Sequence, residues 1–487
     1  MAPAHHFLGF REPSDQFRRT VGAAGAVAAL LGGCAVVGPP YQPPQGQWPS
    51  AWQTVLPHGG SVDQLADWWG GFDDPAVVQL IRWAEVDSPT IAKAAANIEA
   101  ARATLASRNA QGKPSVTAGV SAGRSRQLLG NSASVDTTLS GSLDSSWEID
   151  LFGKLRRGRQ AAQARIEARL ADWHEARISV AAEIADTYVQ YRACRMIESG
   201  YADDVASQRD TLRITGVSAL AGLSARADLD LASAAEASAE STWVAEQATC
   251  ESLVKALVAL TGTEEDRLRP LIDRPSKALP TPQAFAVASL PSDLLRQRPD
   301  VASSERELAA SSAEIGQADA DRYPSFSLGG SISVSASPGT SPLTTWSFGP
   351  SLSVPAFDGG ARRAAVDSAR AVYNSSLASY RSTVRDAVRE VEQALVALQG
   401  ASIRSGAARQ AAGSYRRYVA ATEVNWRAGG TSLLALEEAR RSATVAETTL
   451  VTLERDQVRD WIALYKALGG GWQTIASDAD AATGGKP

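Results

Sequence analysis

Residues 325–354 alternate in character with a period of two. Phe326, Leu328, Gly330, Ile332, Val334 and Ala336 fall on one parity, and Ser325, Ser327, Gly329, Ser331, Ser333 and Ser335 on the other. After a Pro/Gly/Ser turn over 338–342, Trp346, Phe348, Pro350, Leu352 and Val354 oppose Ser347, Gly349, Ser351 and Ser353. A period of two predicts β-strands with one apolar and one small polar face. Strands of roughly ten residues have the length of membrane-spanning hairpins, about 9–11 residues each. A water-soluble sandwich gives the same alternation, so this pattern alone leaves both architectures open.

The hairpin occurs twice. Val116, Ala118, Val120 and Ala122 alternate with Ser115, Thr117, Gly119 and Ser121. Leu139, Gly141, Leu143, Trp147, Ile149 and Leu151 then alternate with Thr138, Ser140, Ser142, Ser146 and Glu148. Four strands cannot close a barrel, and an open edge in lipid leaves backbone groups unsatisfied. Bacterial barrels begin at about eight strands. If these strands lie in a membrane, several chains must share one barrel.

The N-terminus reads as an address. Arg11, Arg18 and Arg19 precede the apolar run Val21 to Leu31, followed by Gly32, Gly33 and Cys34. A basic region, a short apolar stretch and a small-residue site describe a secretory signal. The Leu-Gly-Gly-Cys ending resembles a bacterial lipobox, which makes Cys34 the lipidated first residue of the mature chain; a plain signal peptide with an incidental cysteine is the alternative. Ala35, rather than Asp, at the next position favours outer-membrane sorting. One acyl anchor binds reversibly and two signals hold well. Beyond this segment no run of about 18 apolar residues exists, so no transmembrane helix is expected. A net charge of −5 and the lack of a basic stripe with interleaved aromatics argue against nucleic acid.

Cys194 and Cys250 each lie 28 residues from Gly222, where a helical hairpin is expected to turn. They therefore share a height in that hairpin, in an oxidising compartment. Two buried free thiols are favoured over a disulfide, because the rotation of each helix about its axis is not set by spacing.

A Pro-rich leader, Gly38 to Pro44, cannot be helical. Asp73-Asp74-Pro75 starts a short amphipathic helix, and Ser88-Pro89 opens another that ends near Lys113-Pro114. From Lys154 to about Leu220 no proline interrupts a helix on the order of 100 Å long. A turn at Ala221-Gly222 leads to a return helix ending near Leu260, and 261–290 is a Pro-punctuated connector. The sequence then starts again. Arg298-Pro299 echoes Ser88-Pro89 and Pro324 echoes Pro114 at an offset of 210; Phe357 echoes Phe152 at 205; Ala428-Gly429 echoes Ala221-Gly222 at 207; Ala467-Leu468 echoes Ala259-Leu260 at 208. Five anchors in one order imply an internal duplication. The expected organisation is a lipoprotein signal peptide over 1–33, a leader and equatorial segment over 34–86, a first repeat over 87–262, a connector over 263–296, a second repeat over 297–470 and a loose tail over 471–487. Long Ala-rich helices bury little by themselves and need laterally packed partners, as in a coiled-coil array.

These features together resemble the outer membrane factor family, the TolC-like channels, and within it the NodT-type lipoproteins of drug efflux. The resemblance rests on the lipobox with Tyr41-Gln-Pro-Pro, on 147–156 (Trp-Glu-Ile-Asp-Leu-Phe-Gly-Lys-Leu-Arg), on 290–300 (Leu-Pro-Ser-Asp-Leu-Leu-Arg-Gln-Arg-Pro-Asp), and on 355–362 (Pro-Ala-Phe-Asp-Gly-Gly-Ala-Arg). It covers nearly the whole mature chain. It implies an α+β, internally duplicated protomer whose four strands enter a trimeric twelve-stranded barrel, with helical hairpins forming a periplasmic α-barrel. It also implies a homotrimer in the outer membrane that works with a periplasmic adaptor and an inner-membrane pump, the resistance-nodulation-division (RND) type being favoured. No cofactor is implied beyond the lipid on Cys34.

The same resemblance places a periplasmic gate at the hairpin tips, Gly222 and Gly429-Gly430. Leu433 and Glu437 are similar to the family's gate stretch, although Glu stands where Asp is usual, and Asp230 occupies the register of Glu437 in the first half. Residues four apart share a helix face, so Leu433 and Glu437 can both point into a bore, where three copies of a carboxylate would repel, attract cations and titrate together. Ordinary solvated helix charges are the plainer reading of Glu437 and Asp230. Arg427 either caps its helix or bonds across to a neighbouring one. Lys154, Arg156, Arg157, Arg362 and Arg363 sit where strand becomes helix and read as an inner membrane boundary. His58 and His174 stand alone, and no metal spacing, P-loop or nucleophile elbow appears, so catalysis is not expected. An exit duct for small molecules is the favoured function; a duct for ATP-driven protein secretion and a structural envelope tether are the alternatives.

Overall fold

The computed structural model describes residues 36–44, 52–54, 68–129, 132–274, 278–282, 295 and 298–471. Cys34, the signal segment and nearly all of the expected tail lie outside the described residues, as does most of 290–297. In chain order the elements are α1 (Pro75–Asp87), α2 (Pro89–Gln111), β1 (Ser115–Leu129), β2 (Ser132–Ile149), α3 (Lys154–Leu220), α4 (Arg226–Thr261), α5 (Glu265–Ile272), α6 (Pro299–Ala320), β3 (Ser325–Ala336), β4 (Leu343–Ser353), α7 (Ala361–Arg427) and α8 (Leu433–Ala467). The second set of helix, hairpin, long helix and return helix repeats the first. Both long helices have 67 residues and start 207 positions apart. No described helix is long and apolar enough to cross a membrane.

The chain divides into two compact units. One comprises the leader to Pro43, Ala100–Ile166 and Arg306–Ala378. Its centre is a four-stranded antiparallel sheet in the order β1-β2-β3-β4, so β1 and β4 are open edges. The register has no slip. Ala118 pairs with Leu143, Leu143 with Ile332, and Ile332 with Trp346, in one apolar row. Because side chains alternate across a strand, the neighbouring residues form a hydroxyl face. Ser121 Oγ lies 2.7 Å from Ser140 Oγ, Ser331 Oγ 3.0 Å from Ser347 Oγ, and Ser333 Oγ 2.8 Å from Thr345 Oγ1. Leu139, Leu143, Ile332, Trp346 and Phe348 are all exposed. The hydrophobic effect cannot have set this face within one chain.

Two details differ from the sequence expectation. β1 and β2 run well past Ala122 and Thr138, adding the seven pairs from Gly123–Thr138 to Leu129–Ser132. Backbone ladders need no apolar face, so the strands outlast their alternating pattern. Leu151 and Val354, in turn, lie just beyond the ends of β2 and β4.

Where strand becomes helix, the leader is tied down. Val37 donates its N–H to Phe152 O at 3.1 Å, and Arg157 donates to Val37 O and Gly38 O at 3.1 and 2.8 Å. Gly38 has φ +87°, and a Cβ there would sit 2.5 Å from Gly316 Cα, so backbone meets backbone at two glycines. Lys154 pairs with Asp321 at 2.6 Å and Arg362 with Asp358 at 3.1 Å. Ala161, Ala164, Ala310 and Ala313 pack α3 closely against α6.

The other unit comprises Pro44–Glu99, Glu167–Glu305 and Ser379–Pro487. Asp74 caps α1 by accepting Ala76 N–H at 2.9 Å, as its position before Pro75 predicts. The core gathers Leu80, Ile184, Tyr188, Val254, Leu257, Leu268, Leu395 and Tyr465. Buried phenols find carboxylates: Tyr188 donates to Asp74 at 2.6 Å, and Tyr191 to Asp273. The connector carries α5, which Pro270 had hidden from the sequence reading. Arg298 is 6 % exposed and donates to Ala467 O at 2.8 Å and to Asp300 and Glu390, each at 2.7 Å. Burial opposes its charge, but the two carboxylates more than offset this and hold its pKa above the ordinary arginine value.

Cys194 and Cys250 form a disulfide with Cα atoms 5.6 Å apart. The expectation of free thiols is corrected. α3 and α4 are rotated so that both cysteines face the helix–helix seam, where they are 4 and 1 % exposed.

Candidate functional site

The two hairpin tips close in the same way. Gly222 has φ +71° and Gly429 φ +76°. Gly222 N–H reaches Ala219 O and Leu223 N–H reaches Ser218 O, at 3.1 and 2.9 Å. Gly429 N–H reaches Trp426 O and Gly430 N–H reaches Asn425 O, at 2.9 and 2.8 Å. Both are Schellman closures, which satisfy the last carbonyls of a helix and need a left-handed residue at the turn. Each return helix then starts with a side-chain cap. Asp228 accepts Ala225 N–H at 3.2 Å in the first hairpin, and Ser432 Oγ accepts Ala435 N–H at 3.1 Å in the second.

Repeat-related ion pairs brace each hairpin. Arg209 meets Glu240 at 3.4 Å, and 207 residues later Arg416 meets Glu447 at 2.5 Å. Nearer the tip the halves diverge. Glu437 is 7 % exposed and pairs with Arg440 at 2.9 Å. Arg440 also donates to Ser207 Oγ on α3 at 2.8 Å, and its other amino group lies 3.8 Å from Glu423. Arg427 pairs with Glu423 one turn back on its own helix. Arg427, for which a helix cap and a cross-helix bond were both open, is the terminal residue of α7 and reaches back along it to Glu423; the cross-helix bond is made by Arg440. Leu433 is half-buried, Leu434 and Glu438 are exposed, and Asp230 is exposed. The positions 207 earlier than Glu423, Arg427 and Arg440 are Gly216, Leu220 and Ser233, so the first tip lacks this network.

Sequence reasoning missed Ser207, Glu423 and Arg440. The i,i+4 spacing of Glu423–Arg427 and the i,i+3 spacing of Glu437–Arg440 were legible as ion pairs. The part played by Ser207 depends on how α8 lies against α3, which no local pattern encodes.

A charged bay of about 870 Å³ opens between α3, α7 and α8, lined among others by Asp186, Arg404, Asp456, Arg459 and Asp460. Arg459 holds Asp186 at 2.5 Å. Burial, reinforced by Asp456, pushes the Asp460 carboxyl up to about 6 against the pull of Arg459.

Comparison with known proteins agrees with this geometry. The family described as outer membrane efflux protein matches residues 80–263 and 290–470. The chain is 30 % identical to nodulation protein T of Rhizobium leguminosarum bv. trifolii over 92 % of this chain and 96 % of that protein. It is 33 % identical to the pyoverdine export outer membrane protein OpmQ of Pseudomonas putida, over 87 and 92 % of the two chains. Among solved structures it is similar to the outer-membrane channel OprN, with TM-score 0.78 and 29 % identity, over 90 % of this chain and 99 % of that one. It is similar also to the open state of MtrE from Neisseria gonorrhoeae, with TM-score 0.75 and 25 % identity, over 90 and 99 % of the two chains. The chain belongs to the outer membrane efflux protein family.

Proposed function

We propose that three copies of this chain close a twelve-stranded barrel in the outer membrane and conduct small molecules outward through it. The observation that carries the reading is the sheet: two open edges, one apolar face and one face of serine and threonine hydroxyls. Lipid leaves no unpaired edge in place, so β4 of one copy pairs with β1 of the next. The apolar face then meets lipid and the hydroxyl face lines water. The helical hairpins form the periplasmic part, with the Glu437–Arg440–Ser207 network at its constricted end.

The duct has no energy source of its own. An inner-membrane pump of the RND type loads it through a periplasmic adaptor, in keeping with relatives described as serving solvent efflux and pyoverdine export. Lipidation of Cys34 adds a second membrane attachment. The test is intracellular accumulation of a fluorescent dye and a panel of antibiotics in a deletion strain, with and without the restored gene. Accumulation that rises on deletion and falls on restoration supports the duct. An unchanged panel together with lost secretion of a protein would favour a protein-exporting duct.

A further inference from the structure

Above the apolar band, the outward face of the β1–β2 ribbon changes sign. The band on β2 runs from Ile149 to Leu139, whose row is Ala122, Leu139 and Ala336. Ten residue-to-residue steps of about 3.4 Å each, tilted by about 40°, span roughly 26 Å, close to the usual apolar height of such barrels. The next two rows of the same face pair Arg124 with Thr137 and Arg126 with Val135. Both arginines are exposed. No acidic residue among 123–129 or 132–138 shares their face, since Asp136 pairs with Ser125 on the hydroxyl face. Basic charge is thus turned outward and acidic charge inward.

We propose that Arg124 and Arg126 bind the phosphate groups of outer-leaflet glycolipid, pinning the barrel to that leaflet. The inference rests on the barrel reading above, which turns this face to lipid. The first arginine stands about 7 Å along the strand beyond the last apolar row and the second about 14 Å beyond it. Side chains placed there bring guanidinium groups to headgroup height, where a charge costs little, whereas the same groups near the bilayer centre would cost several kcal/mol. Guanidinium is the cation best shaped for phosphate, since it donates two parallel N–H bonds. A spacing of two residues on one strand sets the pair about 7 Å apart, enough for two phosphates or two ends of one diphosphorylated headgroup.

The test uses the full-length protein reconstituted in phosphatidylcholine vesicles containing either bisphosphorylated or dephosphorylated lipid A. Conductance establishes the barrel, and lipid A retained through detergent extraction and sizing measures the contact. Unaltered protein is expected to retain the phosphorylated form preferentially. Arg124→Gln and Arg126→Gln should each lower that retention about 5-fold and together about 25-fold, while Arg124→Lys, which keeps the charge and loses the paired N–H geometry, should fall between the parent and Arg124→Gln; all variants conduct normally. Excess inorganic phosphate should not displace the lipid. Conducting variants that retain phosphorylated lipid A as well as the parent does would overturn the contact and leave the barrel standing. Absence of conductance in the unaltered protein would remove the barrel, and the lipid contact with it.

Discussion

Arg440 donates to Ser207 Oγ at 2.8 Å across 233 residues of sequence, while the same amino group holds Glu437 at 2.9 Å. A single guanidinium therefore ties the second return helix to the first outgoing helix and neutralises a buried carboxylate. Such a clasp holds two hairpins in one arrangement, and its loss frees them to separate.

Arg440→Ala should loosen the tip and raise resting conductance of the reconstituted channel. Each 1.4 kcal/mol taken from the clasped arrangement raises the unclasped fraction about tenfold while it remains small. Ser207→Ala should do the same more weakly, since Glu437 keeps its ion pair. Leu433→Ala with Glu437→Ala is expected to raise conductance as well. Single-channel recording decides the matter: parental conductance in correctly assembled variants would exclude these residues from the gate.

The disulfide closes a loop of 56 residues, for which chain entropy predicts a stabilisation of up to about 4 kcal/mol. Cys194→Ser with Cys250→Ser should lower the thermal midpoint of the assembled protein and increase proteolysis near Gly222. Thiol labelling of unreduced, unfolded parent is the direct measurement, and two labelled thiols would show that the bridge does not form.

Much of the sheet was legible before the structure. The parities of Phe326 and Ser327, or of Leu143 and Ser142, assign every side chain to a face, because a one-residue slip would invert them all. The tips were legible for a similar reason: Gly222 and Gly429 recur at one offset and serve one backbone conformation. The upper ribbon was hidden because Arg124 and Arg126 interrupt the apolar alternation while leaving the ladder intact. The bridge between Cys194 and Cys250 needed the rotation of two helices, and the Arg440–Ser207 bond the lateral packing of two hairpins. Both are tertiary quantities that spacing along one helix does not contain.

The two faces of β2 make opposite predictions. Leu143 sits mid-band between Ala118 and Ile332. Leu143→Arg puts a charge in lipid and should cost about 2–4 kcal/mol at that depth, reducing the assembled protein in the outer membrane. Ser142→Arg, one residue away on the hydroxyl face, should assemble normally and shift ion selectivity toward anions. Normal assembly of Leu143→Arg with loss of Ser142→Arg would mean that the faces are assigned the wrong way round, and equal assembly of the two would mean that neither face meets lipid.

Asp460 makes the stability of the charged bay depend on pH. With its pKa pushed up to about 6 by burial and Asp456, the folded chain holds this proton more tightly than the unfolded chain, where a carboxyl titrates near 3.9. Below about pH 4 both states are protonated and the group costs nothing. As pH rises from about 4 to about 6 the unfolded chain ionises first, so stability falls, and the full cost is present above about pH 6. The side chain is only half-buried, so solvent screening reduces that cost to about 1 kcal/mol. Asp460→Asn should therefore raise the thermal midpoint at pH 7.5 and leave it unchanged at about pH 3, flattening the profile between. A variant that loses stability at pH 7.5 would show that the ionised carboxylate is held favourably by Arg459, and that burial does not dominate at this site.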